Sequence, residues 1–175
     1  MLNDDRELIR NIPDFPKTGI QFKDITPLLA DSMAFNRVVD TFVQKISPDS
    51  EYIAGIEARG FIFAAAVAKE GKRGFIPIRK AGKLPGAVEK ESYELEYGEA
   101  SLEIHKEIYK ANSKVVIVDD VLATGGTAIA ALKLCKKINL SIDSIIFLME
   151  IPELGGRSQI KSHFPDLQIT VLLAE

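Results

Sequence analysis

The pattern of hydrophobic and polar positions divides the chain into strands and helices that alternate. Apolar runs at 52–56, 74–78 and 115–118 are typical of strands that are buried on both faces of a parallel sheet. Residues 141–151 and 168–174 predict two further strands, and apolar residues recur at helical spacing between the strands. This order predicts an α/β fold, in which helices flank a doubly wound and mostly parallel sheet.

Capping residues and prolines predict where the helices begin and end. Either Asp31 or Ser32 can cap one helix, which must end before Pro48. A second helix is predicted at 61–70 and a third after Thr127. The apolar positions of the first helix are Phe35, Val38, Val39, Phe42, Val43 and Ile46, and those of the third are Ala128, Ile129, Ala131, Leu132 and Cys135.

The two ends of the chain predict shorter elements. Residues 2–12 predict a short amphipathic helix that ends before Pro13, and 153–164 predict a helical turn or a short helix. The stretch 13–29, PDFPKTGIQFKDITPLL, has three prolines, and we expect it to be too broken for regular structure. It is also too apolar for a solvated linker. Two interpretations remain, a loop packed on the sheet or a hood over a ligand.

Strict alternation at 90–106 predicts a β-hairpin. Tyr93, Leu95 and Tyr97 alternate with polar residues on one strand, Leu102 and Ile104 do so on the other, and Gly98 lies at the expected turn. This alternation is typical of two antiparallel strands joined by a turn. The hairpin is expected to protrude from the sheet. It can serve either as a contact between two copies of the chain or as a flexible lid that closes on a substrate.

Composition limits the classes of protein to which the chain can belong. With 175 residues, 46% of them hydrophobic, residues 1–175 are expected to form one domain, with helix and hood at 1–30 and hairpin at 88–106. A net charge of −3 without a basic face predicts no nucleic-acid partner, and no apolar run is long enough to predict a membrane span. The polar N-terminus predicts no signal peptide, so a cytoplasmic location is expected. The single cysteine, Cys135, is interpreted as a core residue rather than a nucleophile.

The stretch VVIVDDVLATGGT, which ends the strand at 115–118 and begins the third helix, carries the clearest chemistry. Gly125 and Gly126 allow close approach of the backbone, and Thr124 and Thr127 add hydroxyl donors at the positive end of a helix. We therefore expect a cradle for a monophosphate. Two adjacent carboxylates, those of Asp119 and Asp120, would repel free phosphate, and so they suggest a sugar phosphate instead. The spacing matches neither a P-loop nor a dinucleotide fingerprint.

Two more loops follow predicted strands at the same edge of the sheet. The first loop is Glu57, Ala58, Arg59 and Gly60, where backbone N–H groups and a guanidinium suit a second anionic group. The second loop carries three cations, Arg79, Lys80 and Lys83. This second loop is either a solvated basic loop or a clamp for pyrophosphate.

Five motifs in order along the chain, PDFPKTGIQFKDITPLL, EARGFIF, IRKAGKLPG, YELEYG and VVIVDDVLATGGT, resemble those of the type I phosphoribosyltransferases. The resemblance is closest to the branch of this family that acts on adenine. It implies the family's fold, a cytoplasmic homodimer, and a pentosyl transfer from phosphoribosyl pyrophosphate to adenine that yields AMP and pyrophosphate with Mg²⁺. The reaction would serve purine salvage.

The resemblance also implies roles for the residues that match its motifs. Asp119 and Asp120 would hold the ribose hydroxyls and stabilise positive charge at the anomeric carbon, and Glu96, followed by Tyr97 in the lid, would act on the base. The 5′-phosphate loop would be Ala123, Thr124, Gly125, Gly126 and Thr127. Pyrophosphate would be bound by Glu57, Ala58, Arg59, Gly60, Arg79, Lys80 and Lys83, and adenine by Gln21, Phe22 and Lys23. No dedicated protein site for Mg²⁺ is expected, because pyrophosphate, ribose hydroxyls and water would hold the ion.

Three points stay open at this level. Lys23 stands where the animal-like pattern has arginine, which weakens any side-chain stacking on the base but not a backbone contact. A phosphoribosyltransferase for another base is one alternative. A non-catalytic sensor of phosphoribosyl pyrophosphate is the other, although the chain has no spare length for an added DNA-binding region.

Overall fold

The structure of the chain, a computed structural model, describes residues 5–95 and 98–173. The described elements, in chain order, are a 3₁₀ turn (Arg6–Leu8), β1 (Arg10–Pro13), β2 (Gln21–Asp24), α1 (Thr26–Ala30), α2 (Ser32–Gln44), β3 (Tyr52–Ile56), α3 (Gly60–Glu70), β4 (Gly74–Lys80), β5 (Val88–Leu95), β6 (Gly98–His105), β7 (Lys114–Leu122), α4 (Gly126–Lys137), β8 (Ser141–Glu150), a second 3₁₀ turn (Pro152–Leu154), α5 (Gly156–His163) and β9 (Gln168–Leu173). None of these helices is long and apolar enough to cross a membrane.

Seven strands form the main sheet in the order β5-β6-β4-β3-β7-β8-β9. The five neighbouring strands β4, β3, β7, β8 and β9 pair in parallel. At the β4 side of the sheet, β6 runs antiparallel to both β4 and β5. The chain moves from β3 outward to β4, and from β7 outward in the opposite direction to β8 and β9. The doubly wound, mostly parallel sheet is thus confirmed, and its topological switch point lies between β3 and β7.

The central strands are buried on both faces, as their apolar runs predict. Val116 and Val118 of β7 pack in one core cluster with residues of α2 and α3, whereas Val115 and Ile117 pack in a second cluster with residues of α4. Because successive side chains of a strand point to opposite faces, one continuous apolar run supplies both clusters. Cys135 of α4 is fully buried in the second cluster, and burial raises the pKa of its thiol to about 12.

The predicted cap of α2 is confirmed. The Asp31 carboxylate accepts hydrogen bonds from the backbone N–H groups of Met33 and Ala34, both at 2.9 Å. These bonds satisfy two donors that a helix otherwise leaves free in its first turn.

The prediction of a helix at 2–12 followed by an irregular stretch at 13–29 was wrong for its described part. A 3₁₀ turn is followed by β1 and β2, which pair antiparallel with Arg10 opposite Asp24, and α1 comes next. A helix this short gains little by itself in water, whereas pairing with β2 satisfies the backbone. Asp24 fixes the end of the hairpin, because it accepts from Arg10 Nε (3.0 Å) and from the Thr26 hydroxyl (2.6 Å).

The hairpin predicted at 90–106 exists as β5 and β6, but the expectation that it protrudes from the sheet was wrong. β6 pairs with the end of β4, with Arg79 opposite Glu103 and Lys80 opposite Leu102. Leu102 and Ile104 are buried in the core. The hairpin therefore continues the sheet, because its apolar alternation belongs to a face that α4 covers.

Candidate active site

The main cleft lies at the carboxyl ends of β3 and β7, at the switch point of the sheet. It has a volume of about 440 Å³. Its lining includes eleven residues that the sequence singled out: Phe22, Glu57, Ala58, Arg59, Lys80, Asp119, Asp120, Ala123, Thr124, Gly125 and Thr127. The three predicted loops thus meet in one place because parallel strands end at a common edge.

The two adjacent carboxylates project from β7 itself, not from a loop. The sequence placed the end of this strand at Val118, but pairing with β8 continues to Leu122. Asp120 is 4% exposed, and its Oδ2 lies 2.8 Å from Arg59 Nη2. Its backbone N–H donates to Asp119 Oδ1 at 3.0 Å. The continued strand pairing holds both carboxylates rigidly at the cleft.

The surroundings of this pair disfavour negative charge. Burial raises the pKa of Asp119 well above its ordinary value, and the neighbouring Asp120 carboxylate raises it further. Burial also raises the pKa of Asp120, although Arg59 opposes this shift. A hydroxyl donor or a positive charge that arrives in the cleft therefore finds acceptors that gain from its presence.

Gly60, the first residue of α3, leaves room for the Asp119 carboxylate. A Cβ at Gly60 would stand 2.5 Å from Asp119 Oδ1 and 3.0 Å from the carbonyl oxygen of Val118. Since real Cβ atoms do not approach this closely, any side chain here would displace Asp119. The structure therefore gives Gly60 a packing role beside the cleft.

Arg59 connects the carboxylates to the N-terminal hairpin. In addition to its contact with Asp120, its Nη1 donates to the carbonyl oxygen of Lys23 at 2.9 Å. Its guanidinium carbon lies 4.8 Å from the centre of the Phe22 ring, within the range of a cation–π contact. One side chain thus ties β2 to β7 across the cleft.

The basic loop is organised around Glu57. The peptide between Glu57 and Ala58 is cis. Glu57 Oε2 accepts from Arg79 Nε and from the backbone N–H of Lys80, both at 3.1 Å. Burial by itself would raise the pKa of Glu57, but these hydrogen bonds outweigh it and hold that pKa below its ordinary value.

Only one of the three cations predicted for this loop lines the cleft. Lys80 does so, whereas Arg79 binds Glu57 and also donates to the carbonyl oxygen of Lys83 at 3.0 Å. Lys83 itself is exposed beyond the end of β4. The structure thus brings Glu57 and Lys80 to the cleft and leaves Lys83 outside it.

The predicted phosphate loop begins α4, as expected. Gly125 has a φ of +88°, a left-handed conformation that favours glycine, and it precedes the first turn of the helix. A Cβ at Gly125 would also stand 2.8 Å from the carbonyl oxygen of Gly156. The conformation and the close packing both explain why glycine is needed here.

Sequence reasoning missed two residues that support this loop. A Cβ at Gly156 would overlap the carbonyl oxygen of Ala123, so the start of α5 packs directly against the loop. The pair of glycines at 155–156 was the available signal.

The second missed residue is Tyr93 of β5, which lines the cleft and lies close to Gly126. In the sequence, Tyr93 alternates with polar residues like any apolar residue of a hairpin strand, so nothing marked it as part of the site.

The residues predicted to bind a base are divided between two sides of β2. Phe22 lines the main cleft, while Lys23 lines a second cleft of about 200 Å³ that also includes Glu150. Gln21 is exposed. Glu96 and Tyr97, predicted for the lid, lie outside the described residues.

Residues 28–164 match the family model described as "Phosphoribosyl transferase domain". The chain belongs to the phosphoribosyltransferase family. The fold expected from the five motifs is therefore confirmed.

Relatives of this phosphoribosyltransferase share most of its length. The adenine phosphoribosyltransferase of Paracoccus denitrificans (strain Pd 1222) is 48% identical over 157 residues, which are 89% of this chain and 84% of that protein. The crystal structure of adenine phosphoribosyltransferase from Thermoanaerobacter pseudethanolicus ATCC 33223 is 45% identical, with a TM-score of 0.94 and 100% of both chains covered. The Saccharomyces cerevisiae enzyme, complexed with D-2,5-dideoxy-2,5-imino-altritol 1,6-bisphosphate and adenine, is 36% identical, with a TM-score of 0.89 and 98% of both chains covered.

Phosphoribosyltransferases generally use Mg²⁺ with phosphoribosyl pyrophosphate. Within residues 5–95 and 98–173, no group of three or more His, Cys, Asp or Glu side chains could hold a metal ion. The cleft nevertheless offers the oxygen donors of Asp119 and Asp120 next to the predicted phosphate loop. This donor set fits an ion that keeps much of its water and is bound largely through phosphates.

Proposed function

We propose that this phosphoribosyltransferase transfers the 5-phosphoribosyl group from phosphoribosyl pyrophosphate to adenine, giving AMP and pyrophosphate for purine salvage. The observation that carries the proposal is that a phosphate loop, a carboxylate pair and an aromatic ring share one cleft of about 440 Å³. Relatives that are named adenine phosphoribosyltransferases, at 45–48% identity over most of the chain, support adenine as the base.

The reaction exchanges one bond at the anomeric carbon for another. The bond to the pyrophosphate oxygen breaks and its electron pair leaves with pyrophosphate, while N9 of adenine forms the new bond. Positive charge builds up on the ribose during the exchange. Asp119 and Asp120 would face that charge and the ribose hydroxyls. Burial raises the pKa values of both carboxyl groups, whereas a positive charge that develops nearby favours their ionised forms, which stabilise it at close range.

The 5′-phosphate and the pyrophosphate of the donor would lie at opposite ends of the cleft. The N–H groups and hydroxyls of residues 123–127, at the start of α4, bind the 5′-phosphate. The loop at 57–60 and Lys80 bind pyrophosphate, with Arg79 holding Glu57 in place. Mg²⁺, held by pyrophosphate oxygens, ribose hydroxyls and water, would neutralise charge on the leaving group.

The hood at β1 and β2 would hold adenine. Phe22 provides a ring against which the base can stack, and Arg59 fixes that ring and the carbonyl oxygen of Lys23. Backbone groups near Gln21 and Lys23 would read the base edge. Lysine instead of arginine at position 23 does not affect this recognition of the base, since a backbone contact does not depend on the side chain.

Glu96 would take the proton that adenine loses as the glycosidic bond forms. We expect Glu96→Gln to lower kcat for AMP formation by about 10²-fold or more, because a carboxamide cannot accept this proton. Binding of phosphoribosyl pyrophosphate should change little, since the pyrophosphate and phosphate loops are untouched. Steady-state kinetics and isothermal titration measure the two quantities.

Glu94→Gln is the matched control for this experiment. Glu94 belongs to β5, its side chain is exposed, and it precedes Glu96 by two positions in the sequence. The variant should keep the kcat of the original chain. Equal kcat values for the original chain and Glu96→Gln would contradict the role of Glu96, and a loss in Glu94→Gln alone would move that role to Glu94.

We further propose a cytoplasmic homodimer in which Lys83 serves the partner's cleft. Lys83 is exposed and lies outside the lining of the cleft of its own chain, although its basic loop follows β4 directly. Light scattering after size exclusion measures the oligomeric state. A monomer that retains full activity at assay concentration would contradict this arrangement.

A further inference from the structure

The hairpin strand β5 is fastened to the helix that carries the phosphate loop. The Glu91 carboxylate lies between two lysines of α4, with 2.8 Å to Lys137 Nζ and 3.3 Å to Lys133 Nζ. These lysines are one helical turn apart, so both reach the same carboxylate. Lys137 Nζ also donates to the carbonyl oxygen of Lys90 at 2.9 Å. The side chain of Glu91 is 15% exposed, and its hydrogen bond from Lys137 outweighs burial and lowers its pKa.

The same face of β5 meets the phosphate loop one step further along the strand. Tyr93 follows Glu91 by two residues and so points to the same side of the sheet. Tyr93 Cδ2 lies 3.6 Å from the position that a Cβ of Gly126 would occupy, and the carbonyl oxygen of Glu94 lies 3.5 Å from it. β5 therefore runs along α4 from its last turn to its first residue.

We propose that Glu91 and Tyr93 are positioning residues for the 5′-phosphate loop: the Glu91 clamp on Lys133 and Lys137 holds β5 against α4, so that the Tyr93 ring supports Gly126. This inference rests on the proposed function, because it assigns a supporting structure to the same phosphate site.

Electrostatics alone would give the opposite sign for one variant. Glu91→Gln removes a negative charge and leaves Lys133 and Lys137, on the helix that begins at the phosphate loop, without this carboxylate partner. A simple charge effect would therefore tighten the binding of a phosphate ester. The clamp predicts weaker binding instead, because β5 is no longer held and the loop loses its support. The sign of the change thus distinguishes the two explanations.

The experiment measures the affinity of ribose 5-phosphate, which carries the 5′-phosphate but neither pyrophosphate nor base. By isothermal titration we expect Kd to rise about threefold in Glu91→Gln and about tenfold in Tyr93→Ala. Tyr93→Phe, which keeps the ring, should match the original chain. Pyrophosphate, titrated as a second probe, should bind all of these variants equally, which shows that the rest of the cleft is intact.

Glu89→Gln is the control for charge. Glu89 is on the same strand and face as Glu91, but its carboxylate pairs at 2.7 Å with Lys106, the residue that follows β6. This variant should leave the affinity for ribose 5-phosphate unchanged or slightly tighter.

The possible outcomes separate this inference from the proposed function. Unchanged or tighter binding of ribose 5-phosphate by Glu91→Gln, or equal losses in Glu89→Gln and Glu91→Gln, would overturn the clamp. Equal losses in Tyr93→Phe and Tyr93→Ala would overturn the role of the ring. Neither result affects the proposed function, which is tested separately by AMP formation in the original chain. If the original chain forms no AMP, the proposed function fails whatever the variants do.

Discussion

The buried carboxylates of Asp119 and Asp120 lower the stability of the folded chain at neutral pH. Both carboxylates are held by the extended β7 at a place where burial raises their pKa values. A group whose pKa is higher in the folded chain stabilises that chain fully only below its pKa in the unfolded chain. For an aspartate the unfolded value is about 3.9. Stability should therefore fall as the pH rises from about 4 through the folded-state values.

Asp119→Asn should consequently stabilise the protein and inactivate it. The amide carries no charge, and its oxygen can still accept the N–H of Asp120. At pH 7 we expect Tm to rise by about 2–4 °C, the shift that about 1 kcal/mol produces in a chain of this size. At pH 4 the difference should nearly vanish.

Scanning calorimetry at the two pH values measures this effect, and the AMP assay measures activity. We expect kcat to drop by about 10²-fold, because a charge that faces the developing positive centre is lost. A variant that is less stable at pH 7 than the original chain would contradict the account of burial.

At the scale of elements, helices and strands could be predicted where the local sequence pattern and the tertiary packing agree. The start of α2 follows from the cap at Asp31, and the bounds of β3 follow from its apolar run at 52–56. β1 could not be predicted in this way. Its stability comes from pairing with β2, whose paired residues lie 8 to 14 positions further along the chain, and a pattern of four residues does not show that partner.

The same limit explains the errors about the hairpin and the loop supports. Alternation indicates that β5 and β6 are strands, but it does not show that β6 joins β4. Likewise, the motif at 119–127 predicts the phosphate loop, while the packing of Gly156 against Ala123 depends on where α5 begins. Sequence reasoning thus identified most of the residues that line the cleft, but it missed Tyr93 and Gly156, which pack against the phosphate loop.

The contact between α5 and the phosphate loop gives a prediction at this scale. Gly156→Ala places a Cβ against the carbonyl oxygen of Ala123, so the loop must shift. We expect the affinity for ribose 5-phosphate to fall about tenfold and the free energy of unfolding to fall by about 1–3 kcal/mol. Isothermal titration and urea unfolding measure the two quantities.

Gly155→Ala is the neighbouring control. Gly155 has a φ of +68°, but a Cβ there meets no atom within 4 Å. The variant should lose about 1–2 kcal/mol of stability from backbone strain and keep its affinity for ribose 5-phosphate. Equal affinities in the two variants would contradict a supporting role for Gly156.

At the scale of the whole molecule, topology places the site more firmly than any single residue does. The cleft lies between β3 and β7, where the strand order reverses and helices lead away on opposite faces. The alternation of strands and helices predicted this edge of the sheet, and the three loops were found there. The order of the seven strands was not available from the sequence, because it depends on which apolar faces fit together. The organisation of 1–175 as one domain stays a prediction.

The choice of base is the part of the function that depends on the whole assembly of hood, cleft and lid. Phosphate and pyrophosphate loops would serve any base. In the proposed function, discrimination between adenine and bases with a carbonyl in place of its amino group therefore falls to Phe22, the backbone of β2 and Arg59, which contacts both. A base that leaves buried polar groups of the site unpaired should be rejected strongly.

The most direct measurement is nucleotide formation from phosphoribosyl pyrophosphate, Mg²⁺ and one base at a time, namely adenine, hypoxanthine, guanine, xanthine or orotate. The account predicts AMP and pyrophosphate in equal amounts from adenine, with kcat/KM for the other bases lower by about 10³-fold or more. Preferential formation of another nucleotide would contradict the assignment of the hood. Tight binding of phosphoribosyl pyrophosphate without any product would contradict the enzymatic function and indicate a sensor instead.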